Sequence, residues 1–198
     1  MKGGWVHKLQ TLNFKHQTLS YSSNYKLLTT NYKLPTTNYQ LSTMTISFEF
    51  CDFENTIHLE ALAGLLNHYM TDPMGDAPPL NKLKQFRMVN GLANHPSAMV
   101  LFVLYEDVIA GLSTCFINFS TFNVKSYLNI HDIIVYNNYR SKGLGRALME
   151  KLIELSVERD YCKITLEVRE DNLTAQSLYR SLGFDECTPN MLFLTKKL

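Results

Sequence analysis

Residues 127–152, YLNIHDIIVYNNYRSKGLGRALMEKL, restrict the fold more than any other stretch of the chain. Residues 127–135 read as a strand. Gly143 and Gly145 then open a helix in which Leu144, Leu148, Leu152 and Leu155 recur at i, i+4, i+8 and i+11, a single apolar face. KITLEV (163–168) follows, alternating polar with apolar as a half-buried strand does. Strand, glycine turn, helix and strand in that order set a helix against a sheet. A loop that only reverses direction needs one glycine, and a buried helix needs no cations around its start. Here Arg140, Lys142 and Arg146 crowd that start.

The first turn of a helix presents unpaired N–H groups and a partial positive charge, so it accepts phosphate. Glycine lets the backbone approach an anion with no Cβ in the way. In one reading the N–H groups of residues 142–146 wrap a pyrophosphate. In the other the segment is an ordinary strand-to-helix turn with solvated cations. Two familiar phosphate loops do not fit. Walker A requires G-x-x-x-x-G-K-[ST], and here Lys142 precedes Gly143; G-x-G-x-x-G meets Leu148 at its third glycine.

The remaining elements follow from pattern. TISFEFC (45–51) reads as a strand, and NTIHLEALAGLLNHYM (55–70) as a helix with Ile57, Leu59, Leu62, Leu65, Leu66 and Tyr69 near helical spacing. LNKLKQFRMVNGL (80–92) reads as a second helix with a stripe of Leu80, Leu83, Phe86, Val89 and Leu92. AMVLFVLY (98–105) is a buried strand, Glu106-Asp107 a tight turn, and VIAGLSTCFINF (108–119) a long strand with Gly111 at a bulge. Asn172 caps a last helix that carries Ala175, Leu178, Tyr179 and Leu182 and ends at Gly183; MLFLTK (191–196) closes as a strand. The order βααβββαβαβ predicts the α+β class, a mixed sheet with helices on both faces.

Composition sets the bounds. At 198 residues and 45% hydrophobic, the chain can build one domain with a substantial core. No apolar run approaches the roughly 20 residues of a membrane span. Residues 1–43 hold five lysines and no acid, leaving 14 basic and 18 acidic side chains in residues 44–198, a poor balance for nucleic acid. NYKLLTT, NYKLPTT and NYQLSTM repeat over residues 24–44, and three such short copies bury no core of their own. Residues 1–43 are therefore expected to be a disordered, non-catalytic extension, with Met44 the natural start and 44–198 a single domain. Cys51, Cys115, Cys162 and Cys187 are scattered with no C-x-x-C pair, so neither zinc nor a disulfide framework is expected, and a reducing cytoplasm is the expected setting.

A resemblance separates the two readings of the glycine loop. Residues 140–145 fit R-x-x-G-x-G, and DNLTAQSLYRSLGF (171–184) is similar to N-x-x-A-x-x-L-Y-x-x-x-G-F. Together and in this order, these motifs resemble those of the GNAT superfamily of acyl-CoA N-acyltransferases. The likeness implies a mostly antiparallel central sheet and acetyl-CoA as co-substrate. It implies that Arg140, Ser141, Lys142, Gly143, Leu144, Gly145 and Arg146 cradle the diphosphate. Ile133, Ile134 and Val135 would pair with the pantetheine arm where the strand edge opens, and Asn172, Ala175 and Tyr179 would also reach the cofactor. The layout around FSTF (119–122) and the following strand is similar to the diamine (spermidine/spermine) acetyltransferase branch, although that branch has two acids where this chain has His131-Asp132.

Acyl transfer to an amine requires loss of the ammonium proton, donors for the oxyanion and an acid for the departing thiolate. By the resemblance Tyr179 is the acid; without it, the residue would read as a helix tyrosine packed on the sheet. His131 is the candidate base, and a structural histidine is its alternative. His131 and Asp132 adjoin on one strand, so alternation turns them to opposite faces and at most one can enter a given cleft. Asp132 is preferred for substrate contact. Tyr69, Asp72, Met74 and Asp76 lie where related enzymes build the acceptor pocket. The leading expectation is an N-acetyltransferase for a small amine or a peptide amine, with no metal, nucleic acid or membrane partner. Dimers are common in the superfamily. A non-catalytic acyl-CoA-binding module on the same fold is the alternative.

Overall fold

The computed structural model describes residues 45–75, 77–189 and 191–198. The expectations for residues 1–43 and for Asp76 fall outside these. Ten elements follow in order: β1 (Ile46–Phe50), α1 (Thr56–Thr71), α2 (Lys82–Ala93), β2 (Ala98–Tyr105), β3 (Val108–Ser120), β4 (Lys125–Val135), a 3₁₀ turn (Asn137–Tyr139), α3 (Leu144–Glu158), β5 (Ile164–Leu166) and α4 (Leu173–Ser181). The five strands form one sheet in sequence order; β1 to β4 are antiparallel and β5 runs parallel to β4. That is the mixed α+β sheet the pattern predicts, mostly antiparallel as the resemblance implies.

Both faces of the sheet are covered, which explains why β2 is a continuous apolar run. Met99, Leu101 and Val103 pack with Leu144, Leu148, Met149 and Leu152 of α3 and Tyr179 of α4. Val100 and Phe102 pack with Leu62, Leu65 and Leu66 of α1, joined by Leu112 of β3 and Ile134 of β4. Side-chain caps start three of the helices: Asn55 accepts from Ile57 N–H, Asn81 from Lys84 N–H and Asn172 from Ala175 N–H. The β2–β3 hairpin turns through Glu106 and Asp107, both at positive φ (50° and 62°), the pair of left-handed residues a two-residue hairpin needs.

Three local expectations differ from the structure. The extra residue in β3 is Ala110, not Gly111, since Val103 pairs with Gly111 and Leu104 with Ile109. Gly111 is required for another reason: a Cβ there would come within 2.5 Å of the Ile134 carbonyl. On α2, Leu83 and Phe86 are 58% and 68% exposed, and the side packed toward the core carries Met88, Val89 and Leu92. The helix lies at the rim of the sheet with no fully buried residue, so its apolar content does not mark one inward stripe. Finally, residues 191–196 form no strand, and Met191, Leu192, Phe193 and Leu194 are exposed. β5 is only three residues long and offers a short edge to pair with.

Candidate active site

The start of α3 is built as the glycines predict. Gly143 is its N-cap, at φ 81° in the left-handed region, and no side chain caps the helix. Ser141 is also left-handed, at φ 62°. Two left-handed residues in a short turn point successive N–H groups to one side, a concavity suited to an anion. Among the described residues, the N–H groups of residues 141–146 make no hydrogen bond; the first paired amide is that of Ala147, which donates to Gly143. A Cβ on Gly145 would meet nothing nearer than Leu178 Cδ2 at 3.8 Å, so packing within the protein does not demand glycine there.

The cations around this loop are already engaged. Arg140 donates from Nε to the Val135 carbonyl (3.2 Å) and from Nη2 to Asp72 Oδ2 (2.8 Å). Arg146 donates to Ser181 Oγ (2.7 Å) and lies 3.7 Å from Glu150. Lys142 Nζ sits 4.3 Å over the ring of Tyr105. Arg140 thus straps the glycine loop to the turn after α1. The Met74 N–H and then the Arg140 guanidinium hold the Asp72 carboxyl below the usual carboxylate range against an opposing push from its burial. Asp72 is spent on this strap, and Met74 enters it through its backbone.

Beside the loop the sheet opens. β4 pairs with β5 only where Leu128, Asn129 and Ile130 face Ile164, Thr165 and Leu166. From residue 131 to Val135 the edge of β4 on that side has no strand partner among the described residues, and Ile133, Ile134 and Val135 lie on this free stretch. Asn172 and Ala175 begin α4, where the Asn172 side chain accepts from Ala175 N–H at 3.2 Å.

His131 is where the structure departs from simple alternation. Thr114 faces Asp132 while the adjacent Cys115 faces Ile130, which leaves His131 as an extra residue in β4. The bulge reverses the facing of the strand. Before it, Leu128 and Ile130 point to the α3 side; after it, Ile133 and Val135 do, and Ile134 joins the α1 side. His131 and Asp132 therefore both line the same cleft, contrary to the expectation that at most one would.

That cleft, of about 610 Å³, lies between the sheet and helices α1 and α2. Tyr69, at the end of α1, lines it, and burial followed by the charges of Asp132 and Asp72 raises the Tyr69 phenol above its ordinary value. The Thr114 hydroxyl donates to Asp132 Oδ2, and Ser113 Oγ to the Asp132 carbonyl at 2.9 Å. Pattern reading did not single out Thr114, Phe116, Arg87 or His95, all of which line the cleft. Thr114 and Phe116 alternate correctly for one face of β3, but nothing local says that face meets a cavity. Tyr179 is buried at 7% exposure. Burial, with a smaller contribution from Tyr69, pushes its phenol up to about 12. Its hydroxyl has no hydrogen-bond partner among the described residues, and its oxygen is not among the fully buried unpaired atoms, so the tip of the side chain keeps contact with solvent.

This fold and loop define a type of domain in which a mixed sheet carries, beside an open strand edge, a helix whose first amides are free for an anion. The chain matches the acetyltransferase (GNAT) family over residues 59–184 and belongs to it. The [ribosomal protein bS18]-alanine N-acetyltransferase of Escherichia coli K12 is 46% identical over 59 residues, 30% of this chain and 40% of that protein. Streptothricin acetyltransferase A of Bacillus subtilis 168 is 40% identical over 62 residues, 31% of this chain and 36% of that one. The chain thus spans less than half the length of these relatives. Among solved structures, a probable acetyltransferase superposes with a TM-score of 0.67 at 18% identity, over 76% of this chain and 97% of the other. An aminoglycoside N-acetyltransferase, AAC(6')-Iy in complex with CoA, gives 0.62 at 15%, over 80% and 99%. At these identities the structural likeness is one of fold. Among the described residues no cluster of His, Cys, Asp and Glu has a metal-holding arrangement, and no helix is long and apolar enough to cross a membrane.

Proposed function

We propose that the chain transfers an acetyl group from acetyl-CoA to a primary amine by direct attack within a ternary complex. The observation that carries the reading is the run of unpartnered amides at residues 141–146, at the head of a 15-residue helix and beside the free edge of β4. Six unpaired donors in a left-handed turn at the start of a helix suit a diphosphate. The free edge, at Ile133, Ile134 and Val135, suits an extended amide-bearing arm that adds to the strand. The residues present therefore fit coenzyme A.

Acetyl-CoA supplies the thioester carbonyl that the amine attacks. Asp132 holds the incoming ammonium in the cleft, with one carboxylate oxygen fixed by the Thr114 hydroxyl. His131, brought to the same side by the bulge, takes its proton directly or through water. A β4 backbone N–H between residues 133 and 135 polarises the carbonyl. Tyr179 returns a proton to the departing sulfur. With a phenol pushed up to about 12, it keeps that proton across the whole working range. Asp72 acts indirectly, by fixing Arg140 and thereby the glycine loop.

Tyr179→Phe tests the assignment. General acid catalysis is worth roughly 10² to 10⁴ in rate, so kcat should fall by about 10² or more while the KM for acetyl-CoA stays within about twofold. The hydroxyl has no partner to lose among the described residues, so the melting temperature should hold. Free thiol release across a panel of amines gives the rates. Tight acetyl-CoA binding with no turnover on any amine would instead favour a non-catalytic acyl-CoA-binding module.

A further inference from the structure

The cleft is lined asymmetrically. At the sheet end stand His131 and Asp132, the latter the only carboxylate on its walls among the described residues. At the α2 end stands Arg87, which makes no hydrogen bond or ion pair with any described residue. Between them the surface is apolar, with Leu66, Met88, Leu92 and Phe116. The rings step across it: His95 meets Phe116 edge-on at 4.9 Å, and Phe116 meets His131 at 5.5 Å. Gly91 lies one turn beyond Arg87 on the same wall, and a Cβ there would find nothing within 4 Å. Glycine inside a helix is unfavourable, and no packing in the protein calls for it here. Its missing side chain widens the wall beside Arg87.

Resting on the acetyltransferase reading above, the geometry points to an acceptor with two opposed ends: a primary amine at Asp132 and His131, and a carboxylate remote from it, met by Arg87. An aromatic or bulky apolar body spans Phe116 between the two. The guanidinium is a planar donor without an acceptor among the described residues, and a carboxylate matches it. A polyamine fits poorly, because among the described residues it would set several ammonium groups against one carboxylate, an arginine and two histidines. Arg87 selects among acceptors and takes no part in proton transfer.

Three probes decide it: 4-(2-aminoethyl)benzoic acid, its uncharged analogue 2-(4-methylphenyl)ethylamine, and spermidine. Each is titrated calorimetrically into the full chain, alone and saturated with CoA. The benzoate should bind at least about fivefold more tightly than the methyl analogue, a size in keeping with a solvent-exposed ion pair. Arg87→Gln should abolish that ratio, and Arg87→Lys should restore part of it. In steady state the loss should appear in the KM for the benzoate, with kcat and the KM for acetyl-CoA unmoved, a split that a general disturbance of the fold would not produce. Equal affinities in the unaltered protein, tighter binding of spermidine, or a ratio that survives Arg87→Gln would overturn the inference. Absence of thiol release with every amine counts against the chemistry alone, since the affinity ratio still reports on the Arg87 end.

Discussion

Gly145 offers the most direct access to the loop proposed for the cofactor at the scale of one residue. Its Cβ position is open to within 3.8 Å of Leu178, and an acid in the first turn of a helix is locally favourable. Gly145→Glu should therefore fold, with a melting temperature within about 3 °C of the parent, a change of about 1 kcal/mol for a domain of this size. Its carboxylate would face the site proposed for the diphosphate, and the Kd for CoA by calorimetry should rise at least about tenfold. An unchanged Kd would move the cofactor away from this loop. Tyr179 was legible at the same scale only through its motif. Nothing in its own sequence position gives its burial, because that depends on Phe184 and the α3 face closing around it. Arg140 shows the opposite limit: a cation near a phosphate loop reads as an anion ligand, whereas its guanidinium is committed to an acid 68 residues away.

Among the elements, β4 carries most of the proposed chemistry. Its sequence reads as a strand, and it is one, but alternation alone would separate His131 from Asp132. The bulge is a property of the β3–β4 pair, in which two residues of one strand oppose one of the other. No window confined to β4 contains that count. A deletion tests the point. Removing His131 leaves Ile130 and Asp132 adjacent and on opposite faces, as an unbroken ladder requires, and keeps every later residue facing as it does now. The deleted chain should retain its circular dichroism and lose no more than about 3 kcal/mol of stability. Acetyl transfer should fall by about 10² if the base has gone. Collapse of the fold would mean that the bulge supports the sheet itself. The shortness of β5 belongs here too. KITLEV alternates over six residues, yet only Ile164–Leu166 pair with β4, and the opening between the strands begins where that pairing stops.

Across the whole molecule, the two covered faces of the sheet fix how stability responds to alkali. Burial, eased slightly by Ser113 and reinforced by Asp132, pushes the Cys115 thiol from an ordinary 9.0 up to about 12. Burial, then Asp52 and Glu49, does the same for Cys51, and burial raises Tyr179 from 10.0 to about 12. In each case the native state keeps a proton that the unfolded chain releases at lower pH. Their contribution is therefore fully present below about pH 9 and declines as pH climbs toward 12. The buried Cys115 alone should contribute a slope of about 1.4 kcal/mol per pH unit in that window. Urea unfolding between pH 8 and 11 measures the slope, and Cys115→Ala should make it shallower. A stability independent of pH in that range would show that these groups are not buried as described.

The amino-acid sequence by itself determined which segments become helices and strands, the α+β class and the loop at the head of α3, because periodicity, caps and left-handed glycine are encoded within a few neighbouring residues. Only the tertiary structure decided which face His131 takes, what Arg140 binds, where a cleft opens and that residues 191–196 remain unpaired. Each of those depends on how two distant segments register against one another, and the free energy of that choice is spread over both.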